Sequence, residues 1–250
     1  MAFDDEVRQL TTEACALVED RLRVLTSQPG LINRHMSAGF LARCLALLRG
    51  TLALADEGLD DVCAVLSRAL LESCLLGLYV LLGGPEAITE LMGDYQRNVR
   101  ILAERNNSAE IQSLIDGWDL AGQRVSIEAI ARKLDALLDA AGDSKADATG
   151  LYNISYRGHS TFGVHGVGAV IPYLAMEGDV AWGVILRPEP GGMTSWVHVV
   201  LGALYMTYFA RHALESWGYD TTDVAHLLEL IAITADLQAP TSPARRSETP

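Results

Sequence analysis

Apolar residues recur at intervals of three and four along most of the chain, which is the spacing of one face of an α-helix. Pro29-Gly30, Gly83-Gly84-Pro85 and Asn106-Asn107-Ser108 interrupt this pattern, and such residues commonly end helices. Ser126 stands where an N-cap is expected, just before an apolar stripe. The pattern predicts helices at about residues 4–27, 31–55, 60–82, 86–106, 109–141, 194–217 and 222–238. The helix at 109–141 is open to a break, with Ser126 capping its second half.

Three stretches depart from the helical period. Residues 142–150 have the composition of a loop, and residues 178–193 combine glycine and proline with a short apolar run, which favours an irregular or hairpin insert. Residues 239–250 hold too little apolar surface to pack, so we expect a disordered tail. The fold predicted from this pattern is all-α, a single-domain helical bundle over residues 1–238 with the tail 239–250 after it.

The third predicted helix is apolar almost all round, which places it at the centre of the bundle. Within it, Arg68 and Glu72 are four residues apart and share one face. Buried charges cost several kcal/mol per ion unless they are paired and hydrogen-bonded. Two interpretations follow, a polar pocket lined by Arg68 and Glu72, or an ion pair that fixes helix register.

The stretch from residue 152 to residue 166 concentrates aromatic, basic, hydroxyl and imidazole side chains among glycines. If its first part is helical, Tyr152 and Tyr156 share a face with His159 or Ser160. Arginine recognises anions through two parallel hydrogen bonds, and histidine moves protons near neutral pH. We therefore expect a functional pocket here, and we predict that Arg68 and Glu72 meet it. The chemistry would fall to Tyr152, Tyr156, Arg157, His159, Ser160 and His165.

Charge and cysteine content narrow the function classes. The 250 residues carry 32 Asp and Glu against 19 Lys and Arg, a formal charge of −13. An extended nucleic-acid surface or electrostatic attachment to anionic lipid is therefore disfavoured. Cys15, Cys44, Cys63 and Cys74 form no C-x-x-C pair and read as buried free thiols, and we expect neither a metal nor a cofactor.

The sequence also bears on where in the cell the protein is located. No secretory signal opens the chain, so we expect a cytoplasmic protein. The apolar runs Leu66–Gly84 and Trp196–Ala210 are interpreted as buried helices and not membrane spans, because the first holds Arg68 and Glu72 and the second falls short of the roughly 20 residues a span needs. Homo-oligomerisation is left open.

The segments S67-R68-A-L-L-E72 and Y156-R157-G-H159-S160, the latter followed by H165-G166, resemble a family of uncharacterised bacterial all-helical proteins that carry a domain of unknown function. Its motifs are R-x-x-x-E and Y-R-x-x-S with a later H-G, and the resemblance covers roughly residues 30–215. The family is distantly similar to HEPN domains, many of which are ribonucleases of toxin and defence systems. The resemblance implies a helical fold, and it suggests a catalytic role for Arg157 with His159 or His165. HEPN ribonucleases use R-x(4–6)-H, whereas seven residues separate Arg157 from His165 here.

Three hypotheses for function follow. The first is a pocket for a small anionic or nucleotide-like ligand, held by Arg68 and Arg157 with Tyr152, Tyr156 and Ser160. The second is a HEPN-like ribonuclease or nucleotide-processing enzyme, with His165 or His159 as the general acid–base group and Arg157 stabilising negative charge. The third is an interaction protein in which the polar residues are structural. The net charge favours the first and third.

Overall fold

A computed structural model of the chain describes residues 3–27, 31–106, 113, 115, 124–143, 146–156, 174–176, 184–186 and 195–236. The predicted all-α bundle is confirmed, since the described residues form seven helices that pack on one another. The helices are α1 (Phe3–Ser27), α2 (Ile32–Asp56), α3 (Asp60–Asn106), α4 (Ile127–Ala140), α5 (Ala148–Leu151), α6 (Ser195–Ser216) and α7 (Thr222–Asp236).

The long run α3 contains two helical halves joined at a kink. Gly84 has a φ of 62° and a ψ of −146°, which is not helical, and Pro85 follows it. Glycine adopts positive φ without the steric penalty that other residues pay, and proline at the start of a helix loses no hydrogen bond. The predicted break at Gly83-Gly84-Pro85 is therefore present as a sharp change of direction.

The core lies where the first half of α3 packs between α2 and α6. α1 covers α2 and α6, α7 packs against α1 and α6, and α4 packs on α3. The predicted central position of this half of α3 is confirmed, although Val65 near its start is 40 % exposed. The largest fully buried side chains of the first half of α3 and of α6 are Leu70, Leu71, Leu75, Met206 and Phe209.

A small hairpin-like pair interrupts the helices. Strand β1 (Leu174–Met176) pairs antiparallel with β2 (Val184–Leu186), with Ala175 opposite Ile185. The second strand falls inside the insert predicted at 178–193, and the first lies just before it. The strand pair agrees with the predicted insert at Val184–Leu186, and the rest of the insert lies outside the described residues.

Two helices are long and apolar enough to cross a membrane by length and composition, one at Ile32–Asp56 and the other at Val62–Arg105. In their most apolar stretches, 39 % and 61 % of residues are buried inside the bundle, and core helices of soluble proteins satisfy the same criterion. The segment Trp196–Ala210 lies in α6, which does not satisfy this criterion of length and composition. The cytoplasmic location therefore stays a prediction.

The predicted tail at 239–250 lies outside the described residues.

Candidate ligand-binding site

Arg68, Glu72 and Tyr156 form a hydrogen-bonded cluster on the surface of α3. Arg68 Nη2 donates to the Tyr156 hydroxyl at 3.0 Å, and that hydroxyl lies 3.5 Å from Glu72 Oε2, to which it donates. The Arg68 guanidinium also lies over the Tyr156 ring, 4.7 Å from its centre. The predicted contact between Arg68, Glu72 and the later segment is therefore confirmed for Tyr156. All three side chains are half-buried, so the two charges keep part of their hydration.

A π-helical turn presents the two tyrosines of this segment. It covers Tyr152–Tyr156 directly after α5. The rings of Tyr152 and Tyr156 stack with centres 5.2 Å apart and planes 22° apart, as their predicted common face requires. Single π-turns are rare in proteins and are frequent at functional sites.

Carboxylates hold the start of α5 in place. Asp135 of α4 accepts hydrogen bonds from the backbone nitrogens of Ala148, at 2.6 Å, and Thr149, and also from the Thr149 hydroxyl. Asp147 caps the same helix by accepting from the Gly150 nitrogen at 2.6 Å. The segment is thus fastened at its start to α4 and at Tyr156 to α3, which fixes the tyrosine pair relative to Arg68.

An apolar cavity of about 280 Å³ lies beside this cluster. Its walls come from α3, α4, α5 with the residues before it, α6 and α7. Most of the lining side chains among the described residues are leucines, which are Leu71, Leu75, Leu78, Leu134, Leu138, Leu151, Leu204 and Leu228.

The cavity and the cluster share two structural elements. Leu71 lines the cavity three residues after Arg68, a rise of only about 4.5 Å along α3. Leu151 lines it from the residue before Tyr152. The wall of the cavity therefore begins within one helical turn of Arg68 along α3 and one residue before Tyr152 along the chain.

A second polar cluster borders the cavity at Tyr208, and the sequence interpretation missed it. The Tyr208 hydroxyl donates to Asp143 Oδ2 at 2.8 Å, and His212 Nε2 lies 3.4 Å from the same oxygen. Burial, aided by the Asp143 carboxylate, raises the pKa of Tyr208. Tyr208 and His212 are four residues apart on an apolar helix, the same signal that singled out Arg68 and Glu72.

His212 lies near the end of α6, one turn after Tyr208, and is buried there. Its side chain is only 11 % exposed. Its Nδ1 lies 3.9 Å from Glu215 Oε2, so both ring nitrogens face carboxylates. Burial lowers the pKa of His212, against the opposite effect of Glu215 and Asp143. A histidine in these surroundings favours a structural role, because neither nitrogen is directed at the cavity.

The structure brings four of the predicted site residues together, namely Arg68, Glu72, Tyr152 and Tyr156. The other four, Arg157, His159, Ser160 and His165, lie outside the described residues. The HEPN-like nuclease hypothesis depends on that second set and stays a prediction. Among the described residues no group of three or more His, Cys, Asp or Glu side chains is arranged to hold a metal ion.

Comparison with known proteins adds no relative. No protein-family model matches the chain, and no curated protein or solved structure is significantly similar to it.

Proposed function

We propose that the protein binds a small anionic ligand, whose apolar body occupies the cavity and whose charged end faces Arg68. The observation that carries the proposal is the apolar cavity of about 280 Å³ beside the Arg68–Tyr156–Glu72 cluster. Ligand sites in proteins combine a mostly apolar concave wall with a few well-placed polar groups, and this arrangement fits that description.

Charge at the two ends of the cavity supports this orientation of the ligand. Arg68 carries a permanent positive charge with a planar set of donors suited to a carboxylate or phosphate. Asp143 binds Tyr208, and Asp147 precedes the first residue of α5, so an anionic group placed at that end would meet like charges. Tyr156 holds the guanidinium in position from the side, through both its hydroxyl and its ring.

The test uses 2-naphthoate and its neutral isostere 2-naphthamide, measured by isothermal titration calorimetry. We expect 2-naphthoate to bind the wild type more tightly than 2-naphthamide does. Arg68→Met should weaken naphthoate about tenfold, as loss of a charge-assisted contact does, and leave naphthamide unchanged. Arg68→Lys keeps the charge and should recover part of the difference, which separates an electrostatic role from a structural one.

A matched pair of variants tests the position of the ligand. Leu204 and Leu201 are both half-buried on α6 and both pack against the core, but only Leu204 lines the cavity. Leu204→Trp should fill the cavity and weaken both probes at least tenfold, whereas Leu201→Trp should bind like the wild type. Equal binding by the two tryptophan variants, or a naphthoate affinity that Arg68→Met does not change, would contradict the proposal.

A further inference from the structure

We propose that the ligand of this cavity is a medium-chain monocarboxylate, a single unbranched hydrocarbon chain of about ten to twelve carbons with its carboxylate near Arg68. The inference rests on the proposed function and adds the length of the ligand and the polarity along it. Three features of the cavity carry it: its volume and extent, the pairing of its polar atoms, and the charges at its ends.

The volume sets the number of carbon atoms. An apolar protein cavity of about 150 Å³ accommodates one benzene molecule, that is, six carbons. The cavity here measures about 280 Å³, so the same ratio gives about eleven carbons. A nucleotide, with its sugar, base and phosphates, is larger than this and carries polar groups throughout.

The extent of the cavity favours a chain over a ring system. Its lining on α3 runs from Leu71 to Leu78, a length of about 10 Å. An unbranched chain with its carboxylate near Arg68 can lie along this row of leucines.

Most of the wall is hydrocarbon, and three of its polar side chains already have partners inside the protein. The Tyr208 hydroxyl donates to Asp143, and Asp147 accepts from the Gly150 nitrogen. The Cys74 thiol lies 3.4 Å from the Cys44 thiol. A polar group in the middle of the ligand would mainly face leucine side chains, and burying it without a hydrogen bond is costly, so the part of the ligand inside the wall is hydrocarbon.

The charges at the two ends give the chain its direction. Arg68 lies within a helical turn of the lining residue Leu71, whereas Asp143 binds Tyr208 at the other end and Asp147 precedes the first residue of α5. A carboxylate head is attracted to the first end and repelled by the second. The methyl end of the chain therefore points toward Tyr208.

The experiment measures the affinity of unbranched carboxylates from six to fourteen carbons by calorimetry at pH 7.5, below the concentrations at which they aggregate. Each added methylene should tighten binding about fourfold, because each buries the same apolar area, up to about ten to twelve carbons. Beyond that length the affinity should stop rising, since further methylenes find no wall. Decanoate carrying a hydroxyl on its sixth carbon, in the middle of the chain, should bind at least about fivefold more weakly than decanoate.

Leu204→Trp narrows the cavity, so the affinity should stop rising at a shorter chain length than in the wild type. Leu201→Trp should leave that chain length unchanged. If 2-naphthoate binds but affinity rises steadily through fourteen carbons, or does not depend on length, this inference is overturned and the proposed function stands. Equal binding of decanoate and its mid-chain hydroxyl derivative also overturns it. If neither naphthoate nor any carboxylate binds the wild type, both proposals fail together.

Discussion

Among single residues, Tyr156 has the most consequential position, because its hydroxyl connects Arg68 to Glu72. Arg68→Met removes the donor and leaves the Glu72 carboxylate without its nearby positive charge. We expect a loss of about 1–2 kcal/mol in the free energy of unfolding, below the figure for a fully buried pair because these side chains are half-buried.

Replacing the whole cluster should cost less than replacing one member of it. The triple variant Arg68→Met, Glu72→Leu, Tyr156→Phe removes the donor, the acceptor and the hydroxyl between them together, so its stability should return to within about 1 kcal/mol of the wild type. Urea unfolding of the single and triple variants measures both quantities. A triple variant less stable than Arg68→Met would show that the cluster stabilises the fold outright.

His212 gives the molecule a specific response to acid. Burial lowers the pKa of His212 in the folded state, whereas the pKa of a histidine in an unfolded chain is about 6.5. The unfolded chain therefore binds more protons as the pH falls below that value, and stability is lost between about pH 6.5 and the lower folded pKa.

His212→Gln should remove this loss and give a shallower fall in the free energy of unfolding between pH 7 and pH 5. The control is His226→Gln, which replaces an exposed histidine on α7 outside this cluster. Unfolding by urea at half-unit pH steps provides the measurement. Parallel curves for the wild type and His212→Gln would contradict the assignment.

Half of the candidate site could be predicted from single residues, because these residues are spaced four apart along the chain. Arg68 with Glu72, and Tyr152 with Tyr156, are each four residues apart, so one helix face holds each pair whatever the rest of the fold does. Asp143 carries no such signal. Its contact with Tyr208 spans 65 residues of sequence, and only the packing of α4 against the rest of the bundle brings the two together.

At the scale of elements, Gly77 determines how closely α3 can pack against α2 and α6. A Cβ at this position would lie 2.9 Å from Phe40 Cβ and closer still to the Phe209 ring, so neither neighbour leaves room for a methyl group. Gly77→Ala should therefore force α3 away from α2 and α6 and cost at least about 1–3 kcal/mol.

Gly39 on α2 provides the matched control, because it is exposed and a Cβ there meets nothing within 4 Å. Gly39→Ala should raise stability by up to about 1 kcal/mol, since alanine is the better helix former. Thermal unfolding followed by circular dichroism compares the two variants. Similar effects from both substitutions would show that Gly77 is not a packing contact.

The helices themselves followed closely from the apolar period and its punctuation. The predicted helix at 31–55 is observed at Ile32–Asp56, and Ser126 caps α4 by accepting from the Ala129 nitrogen at 3.1 Å, as expected. The π-turn at Tyr152–Tyr156 could not be distinguished from an ordinary helix, because a spacing of four residues suits both. Its anchor, Asp135, is 13 or 14 residues from the groups it binds.

The cavity belongs to the whole molecule and has no signature in the sequence. Its lining leucines fit the same apolar stripes as the leucines of the solid core, such as Leu70 and Leu41. Only the way α3, α4, α6 and α7 meet leaves space beside some of them and none beside others. The sequence pattern therefore predicts the polar site on α3 but not the apolar space next to it.

Net charge gives the last prediction, at the scale of the whole molecule. With a formal charge of −13, the protein repels an approaching anion over a distance set by the ionic strength, about 30 Å at 0.01 M salt and about 10 Å at 0.1 M. The attraction of Arg68 acts only at short range, after the ligand has reached the cavity. The association rate of 2-naphthoate should therefore rise with salt over this interval, and that of neutral 2-naphthamide should not change. Stopped-flow fluorescence measures both rates, and a naphthoate rate that falls with salt would show that a local positive field at the entrance outweighs the charge of the whole protein.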